Sequence, residues 1–160
     1  MKTLLVLRHA KSPHLEGVAD HDRPLFPGAG RRIADLARQL AAGDIVPGTV
    51  LSSDAVRAVE TARAFGKAVL APEPLLFAGL YEPGTPDDVL AAVQGWGGDA
   101  DVVLVVGHNP GMAEFCNLLT KCPEVDRFRP GALALFDLGI DAWPELRFRH
   151  ARLRRLLDPD

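Results

Sequence analysis

Cysteine is scarce in this chain: Cys116 and Cys122 are the two among 160 residues, and they lack CxxC spacing. Cys116 falls in a predicted helix and Cys122 at its exit. Two buried or free thiols in a reducing compartment fit this pattern, so the cytoplasm is the expected location. Strong charge of one sign is missing as well. The net charge is −3, which gives no reason to expect nucleic acid or an anionic membrane as a partner. No apolar run approaches the length of a bilayer span, and Met1-Lys2-Thr3 opens onto a strand-length run, not a signal peptide. Internal repeats, low-complexity tracts and interdomain linkers are also absent. What is left, with 48% hydrophobic and 24% charged residues, is the composition of a globular protein. Its length suits a single domain over 1–160 with a full core. No exposed apolar helix face stands out, so a monomer is expected.

The stretch from Leu4 to Ser12 organises the rest. Leu4-Leu5-Val6-Leu7 reads as a buried, parallel-type strand that ends abruptly in Arg8-His9. In an open α/β sheet the carboxyl end of such a strand is where ligands bind. Arg8 and His9 could equally be a polar exit from a core strand, and only the remainder of the chain separates the two readings.

Residues 13–28 are rich in Pro, Asp, His and Gly and read as one long loop, of a length that is usually functional or mobile. An amphipathic helix follows from about Gly30 to Ala42, with Ile33, Leu36, Ala37, Leu40 and Ala41 on one side and Arg31, Arg32, Asp35 and Arg38 on the other. Thr49-Val50-Leu51 is a short strand, and Ser52-Ser53-Asp54 offers cap chemistry for a helix running to about Val69. Arg57 then lies in the first turn after a strand end, a better place for an anion site than Arg63. Leu75 to Leu80 is a weak strand left by Tyr81-Glu82-Pro83-Gly84, which puts Glu82 at another strand exit. Thr85-Pro86-Asp87-Asp88 starts a helix that buries Val89, Leu90 and Val93 and ends near Gly97-Gly98.

Val102 to Val106 is the most apolar stretch and is expected to be a central strand. It ends in Gly107-His108-Asn109-Pro110-Gly111, before a helix with Met112, Phe115, Cys116 and Leu119 facing the core. His108 is thus placed as His9 is, the first polar side chain beyond a buried strand. One such histidine could be a packed, satisfied residue, whereas two at like junctions call for a shared reason. In the tail, Ala132 to Leu138 and Leu146 to Leu153 alternate as strands, and the short link at 137–141 favours a hairpin. Arg147, Arg149, Arg152, Arg154 and Arg155 read as one solvated face and tail.

The strand ends therefore supply Arg8, His9, Arg57, Glu82 and His108. Two guanidiniums stay charged at any working pH and can grip a phosphate by forked hydrogen bonds. They also disfavour a further positive charge on a neighbouring imidazole. A neutral imidazole is a nucleophile, and attack on phosphorus gives a phosphohistidine that water can hydrolyse. Phosphoryl transfer asks mainly for positioning and for stabilisation of charge on the equatorial oxygens, which two arginines and a second histidine can provide without a metal.

These segments resemble the histidine phosphatase superfamily: Leu7-Arg8-His9-Ala10-Lys11-Ser12, Asp20-His21-Asp22-Arg23-Pro24-Leu25, Ser52-Ser53 with Arg57 and Glu60-Thr61-Ala62, and Val106-Gly107-His108-Asn109-Pro110. Within it they are similar to the small SixA-type phosphohistidine phosphatases, in family order and across nearly the whole chain. The resemblance implies a three-layer α/β/α fold with a mostly parallel sheet. It implies His9 as nucleophile, Arg8 and Arg57 as phosphoryl-binding groups, His108 as a charge-stabilising group, and no metal or organic cofactor. It also implies an open site, because the long insertions of larger members are missing, and so one able to admit a phosphate carried on another protein. Phosphohistidine on a phosphorylated protein is the expected substrate, with a small phosphate ester as the alternative. Two departures stand out. Arg8-His9-Ala10 replaces the commoner Arg-His-Gly, a change that the SixA-like branch shares. Phe26 replaces a Thr or Asn and cannot cap the helix that follows. Glu82 follows Leu80-Tyr81 as the proton donor does in other branches. SixA-like members often dispense with that acid, because a phosphoramidate leaving group needs less help than an alkoxide. Here Glu82 is the expected general acid.

Two other classes remain open from sequence. A zinc hydrolase would use His9 and His108 with His14, His21 or Asp22, against which two nearby arginines would repel the cation and no HxxEH-like spacing exists. A non-catalytic phosphate- or phosphoprotein-binding module would bind phosphate without releasing it.

Overall fold

The computed structural model describes residues 1–159. Six strands form one sheet in the order β3-β2-β4-β1-β5-β6. They are β1 (Lys2–Arg8), β2 (Thr49–Ser53), β3 (Leu75–Phe77), β4 (Val102–Gly107), β5 (Leu133–Leu138) and β6 (Ala151–Leu157), and four helices connect them: α1 (Ala29–Ala41), α2 (Val56–Val69), α3 (Pro86–Trp96) and α4 (Gly111–Leu119). β1 to β4 run parallel to one another, while β5 pairs antiparallel with both β1 and β6. The fold is the expected α/β class, a three-layer sandwich with a mostly parallel centre.

The layers follow from the two-residue period of buried strands. On β1 and β4, Leu4, Val6, Val103 and Val105 pack with Val89, Val93, Met112, Phe115 and Leu119 of α3 and α4. The alternate residues Leu5, Leu7, Leu104 and Val106 pack with Ile33, Ala37, Leu40, Ala58 and Phe65 of α1 and α2. Both faces of the central strands are covered, which is why they read as unbroken apolar runs. α3 opens with the full capping box: the Thr85 hydroxyl accepts from the Asp88 N–H while the Asp88 carboxylate accepts from the Thr85 N–H. Leu90 is half-buried, not fully buried as its spacing suggests.

Three sequence expectations need correction. The strand expected over 75–80 stops at Phe77, and Ala78–Leu80 form a 3-10 turn. Its partner β2 ends at Ser53, paired with Phe77, so the edge strand has nothing further to bond. The expected cap Ser52-Ser53-Asp54 does not form: both serines belong to β2, Ala55 occupies the cap without a side-chain bond, and Asp54 is engaged by His21 instead. The tail forms the expected antiparallel pair, β5 with β6, but its second strand is Ala151–Leu157 and not 146–153, and the link between the two is long. β6 begins at Ala151, and the connection carries a 3-10 turn at Trp143–Glu145 that buries Trp143 and then Leu146 in the α3/α4 layer. Those two anchors pull the chain off the sheet before it returns as an exposed edge strand. Arg147 and Arg149 therefore lie on the connection and not on the strand face.

Candidate active site

The register of two adjacent strands creates the site. β1 and β4 pair from Thr3↔Val102 to Arg8↔Gly107, so the next residue on each, His9 and His108, emerges side by side. Their ring centroids are 5.0 Å apart. β2 flanks β4 on the other side, with Ser52 opposite Val106, and delivers Ser53 and then the first turn of α2 with Arg57. Arg8, His9, Arg57 and His108 all line one cleft of about 380 Å³, with Lys11, Ser12, His14, Arg23, Asn109 and Pro130 around them.

Each of the four is held by identifiable contacts. The His9 Nδ1 is 2.7 Å from the Ala10 carbonyl. A carbonyl can only accept, so Nδ1 carries the hydrogen and Nε2 keeps a free lone pair. The Ala10 N–H donates to the buried Thr61 hydroxyl, which itself donates to the Arg57 carbonyl. Thr61 thus ties the loop after β1 to the turn that carries Arg57. Arg8 donates through Nη1 to the Phe128 carbonyl, and Asn109 donates to that same oxygen. His108 Nε2 lies 2.8 Å from Ser53 Oγ, and that oxygen accepts from the Ala55 N–H. The hydroxyl keeps a second lone pair and its own hydrogen. When it donates that hydrogen to His108 Nε2, the ring hydrogen sits on Nδ1, the tautomer in which His108 can donate from that atom.

After these bonds, three buried polar atoms lack a protein partner among the described residues: Arg8 Nε, Arg57 Nε and His108 Nδ1. A buried donor without a partner is costly, and functional sites are where such groups are kept. All three belong to residues that line the cleft, and with the His108 hydrogen on Nδ1 they form a donor set suited to an oxyanion. Burial first, then the charges of Arg57, Arg8 and Arg23, pushes His9 down to about 4 against the stabilising Ala10 bond. Burial, followed by His9 and Arg57, pushes His108 down to about 3. Both imidazoles are therefore neutral near pH 7, as attack by one of them requires.

Glu82 is not brought into this group. Its side chain is exposed, on the turn that leaves the 3-10 turn at 78–80, and it is not among the residues that line the cleft. Its neighbour Tyr81 is closer to the site, with its ring edge-on to His108 at 5.4 Å and under the Arg57 guanidinium at 5.9 Å. No three His, Cys, Asp or Glu side chains among the described residues are placed to hold a metal ion, and His21 is bonded to Asp54.

The residue that sequence reasoning passed over is Asp20. Its carboxylate accepts from Tyr81 Oη at 2.7 Å, Arg23 Nε at 3.0 Å and Arg57 Nη2 at 3.0 Å, and its carbonyl accepts from Arg57 Nη1 at 2.7 Å. The Tyr81 bond, with Arg23 and Arg57, holds this carboxyl well below the usual carboxylate range. The signal available in sequence was the Asp20-to-Leu25 motif, which carried no role there. Phe26, as its side chain requires, caps nothing: Gly28 takes the α1 cap at φ 86°, and the Phe26 N–H donates to the Lys11 carbonyl.

Comparison with known proteins gives a consistent answer. No protein-family model matches the chain. It is 32% identical over 120 residues to an uncharacterised protein of Mycobacterium tuberculosis, in a match that covers 75% of this chain and 73% of that one. Among solved structures it superposes on a Nakamurella multipartitia protein assigned as a phosphohistidine phosphatase, SixA, with a TM-score of 0.84, 29% identity and coverage of 99% and 96% of the two chains. A protein histidine phosphatase SixA complexed with tungstate shares the fold at a TM-score of 0.81 and 21% identity, over 98% of this chain and 97% of that one. Cleft, fold and likeness agree that this chain is a phosphatase belonging to the SixA-type branch of the histidine phosphatase superfamily.

Proposed function

We propose that this phosphatase removes phosphate from phosphohistidine on proteins by way of a phosphohistidine intermediate on His9. The observation that carries the reading is the His9 ring. It is neutral, and its Nδ1 hydrogen is committed to the Ala10 carbonyl, so Nε2 offers its lone pair to the cleft in a fixed orientation. Arg8 and Arg57 bind the phosphoryl oxygens, and His108 donates from Nδ1 as negative charge builds on them.

In the first step the Nε2–P bond forms and the bond from phosphorus to the substrate's imidazole nitrogen breaks. When the other nitrogen of that imidazole is protonated, the ring departs as neutral imidazole and needs no proton at the scissile atom. In the second step water attacks phosphorus, the Nε2–P bond breaks, and inorganic phosphate leaves with His9 restored. Neither step calls for a metal ion or an organic cofactor. A phosphate ester differs in its leaving group, an alkoxide that must gain a proton, and Glu82 is the carboxylate we assign to that duty. Its exposed position outside the cleft is what favours the phosphoramidate over the ester as preferred substrate. The reading includes a phosphorylated protein as partner and a monomer working in the cytoplasm.

Trapping tests the chemistry. After brief reaction with a phosphohistidine-bearing protein and an alkaline quench, phosphate is expected on His9 in the digested enzyme. Turnover with phosphate found on another residue, or on none, would overturn the assignment.

A further inference from the structure

The guanidinium of Arg57 has two edges able to make forked hydrogen bonds: an end edge, Nη1 with Nη2, and a side edge, Nε with the second hydrogen of Nη2. Asp20 occupies the end edge through its carbonyl on Nη1 and its carboxylate on Nη2. The Nε on the side edge is buried and without a protein partner. Tyr81 fixes the arrangement from two directions, packing its ring under the guanidinium and donating its hydroxyl to the same carboxylate. Arg23 holds the carboxylate from the loop side and is itself anchored on Ser12 and on the Pro13 carbonyl.

We propose that Asp20 is a positioning residue of the phosphoryl site: it takes the end edge of Arg57 so that the side edge is presented to the phosphoryl group. Arg57 is a long side chain with several rotamers, and a free guanidinium would have to be ordered at each binding event. Asp20 does that ordering in advance. The long 13–28 loop then belongs to the site, because the short 3-10 turn at its centre, Asp20–Asp22, supplies the grip. This inference rests on the proposed role of Arg57 in binding phosphate but not on the identity of the leaving group.

The alternative is that the Asp20 carboxylate competes with substrate for Arg57 as a built-in anion, and the two ideas predict opposite signs. Binding of inorganic phosphate, followed by calorimetry at fixed ionic strength, is the direct test, with kcat and KM for p-nitrophenyl phosphate alongside. Alignment predicts that Asp20→Ala weakens phosphate binding about tenfold, the equivalent of about 1.4 kcal/mol. It also predicts that Tyr81→Phe weakens binding less, and that Asp20→Asn, which keeps an acceptor in place, retains most of the affinity. In an Arg57→Lys background, which lacks the fork, Asp20→Ala should change phosphate affinity by less than about twofold. A residue that merely stabilises the loop would give the same loss in both backgrounds, and that additivity would overturn the proposal. Tighter phosphate binding in Asp20→Ala would overturn it in favour of competition. Should Asp20→Ala fail to fold, Tyr81→Phe in the two backgrounds reads the same coupling. Wild-type protein that binds no phosphate would overturn the cleft assignment and the alignment with it, whereas binding unchanged by these variants overturns the alignment alone.

Discussion

His9 and His108 stand one residue beyond a paired position on neighbouring parallel strands, with their rings 5.0 Å apart and the side chains of Arg8 and Arg57 lining the same cleft. Burial first, and then the neighbouring positive charges, disfavour an imidazolium there, so both rings stay neutral where an exposed histidine would be protonated.

The first prediction is a pH-dependent stability with a worked sign. In the unfolded chain each histidine protonates near 6.5, whereas the folded protein holds His9 near 4 and His108 near 3. Between those values the unfolded state binds more protons, so stability is full above about 6.5 and falls as the pH drops toward 4. His9 alone contributes a slope of about 1.4 kcal/mol per pH unit in that window, and His108 adds in the same direction. Urea unfolding at pH 7, 6 and 5 should show this loss, and His9→Ala should flatten it. Parallel profiles for wild type and variant would contradict the account.

Ser53 is predicted to matter through His108. Its hydroxyl holds the ring through Nε2 from a fully buried position at the end of β2. Ser53→Ala should lower kcat for any phosphorylated substrate by roughly tenfold or more, on the scale of lost transition-state hydrogen bonding. Binding of inorganic phosphate should change much less. Equal loss in both would make Ser53 a packing residue only.

For Glu82 the leaving group decides the outcome. Glu82→Gln should slow hydrolysis of p-nitrophenyl phosphate and alkyl phosphates, most strongly the alkyl esters, and leave phosphoramidate hydrolysis nearly unchanged. Uniform loss across these substrates would remove the proton-donor role.

A stability prediction concerns the first residue of α4. A Cβ at Gly111 would collide with the carbonyl oxygen of Gly84, a backbone atom that cannot swing away. Gly111→Ala should therefore destabilise by about 1–3 kcal/mol, as overpacking against a rigid neighbour does. Chemical denaturation measures it, and a loss below a few tenths of that would show that the turn over 82–84 yields easily.

The parts of the fold that were legible in sequence are those set by strong local patterns. β1 and β4 are apolar runs of strand length, α1 has its apolar stripe, and α3 has its capping box at Thr85–Asp88. His9 and His108 could be paired because each follows such a run. What local pattern could not carry was tertiary choice. β3 ends where β2 ends, and 146–150 leaves the sheet because Trp143 and Leu146 find room in the core, which no alternation of residues 146–153 records. Asp20 was hidden for the same reason. Its contacts with Arg57 and Tyr81 span 37 and 61 residues of chain, and only the folded loop brings them together.

The central claim, hydrolysis of phosphohistidine through His9, is tested most directly by phosphate release from a phosphohistidine-bearing protein in the presence of EDTA, comparing wild type with His9→Ala. The account predicts release by wild type and none above background by the variant. Release that persists in His9→Ala, or that appears only when zinc replaces EDTA, would contradict it.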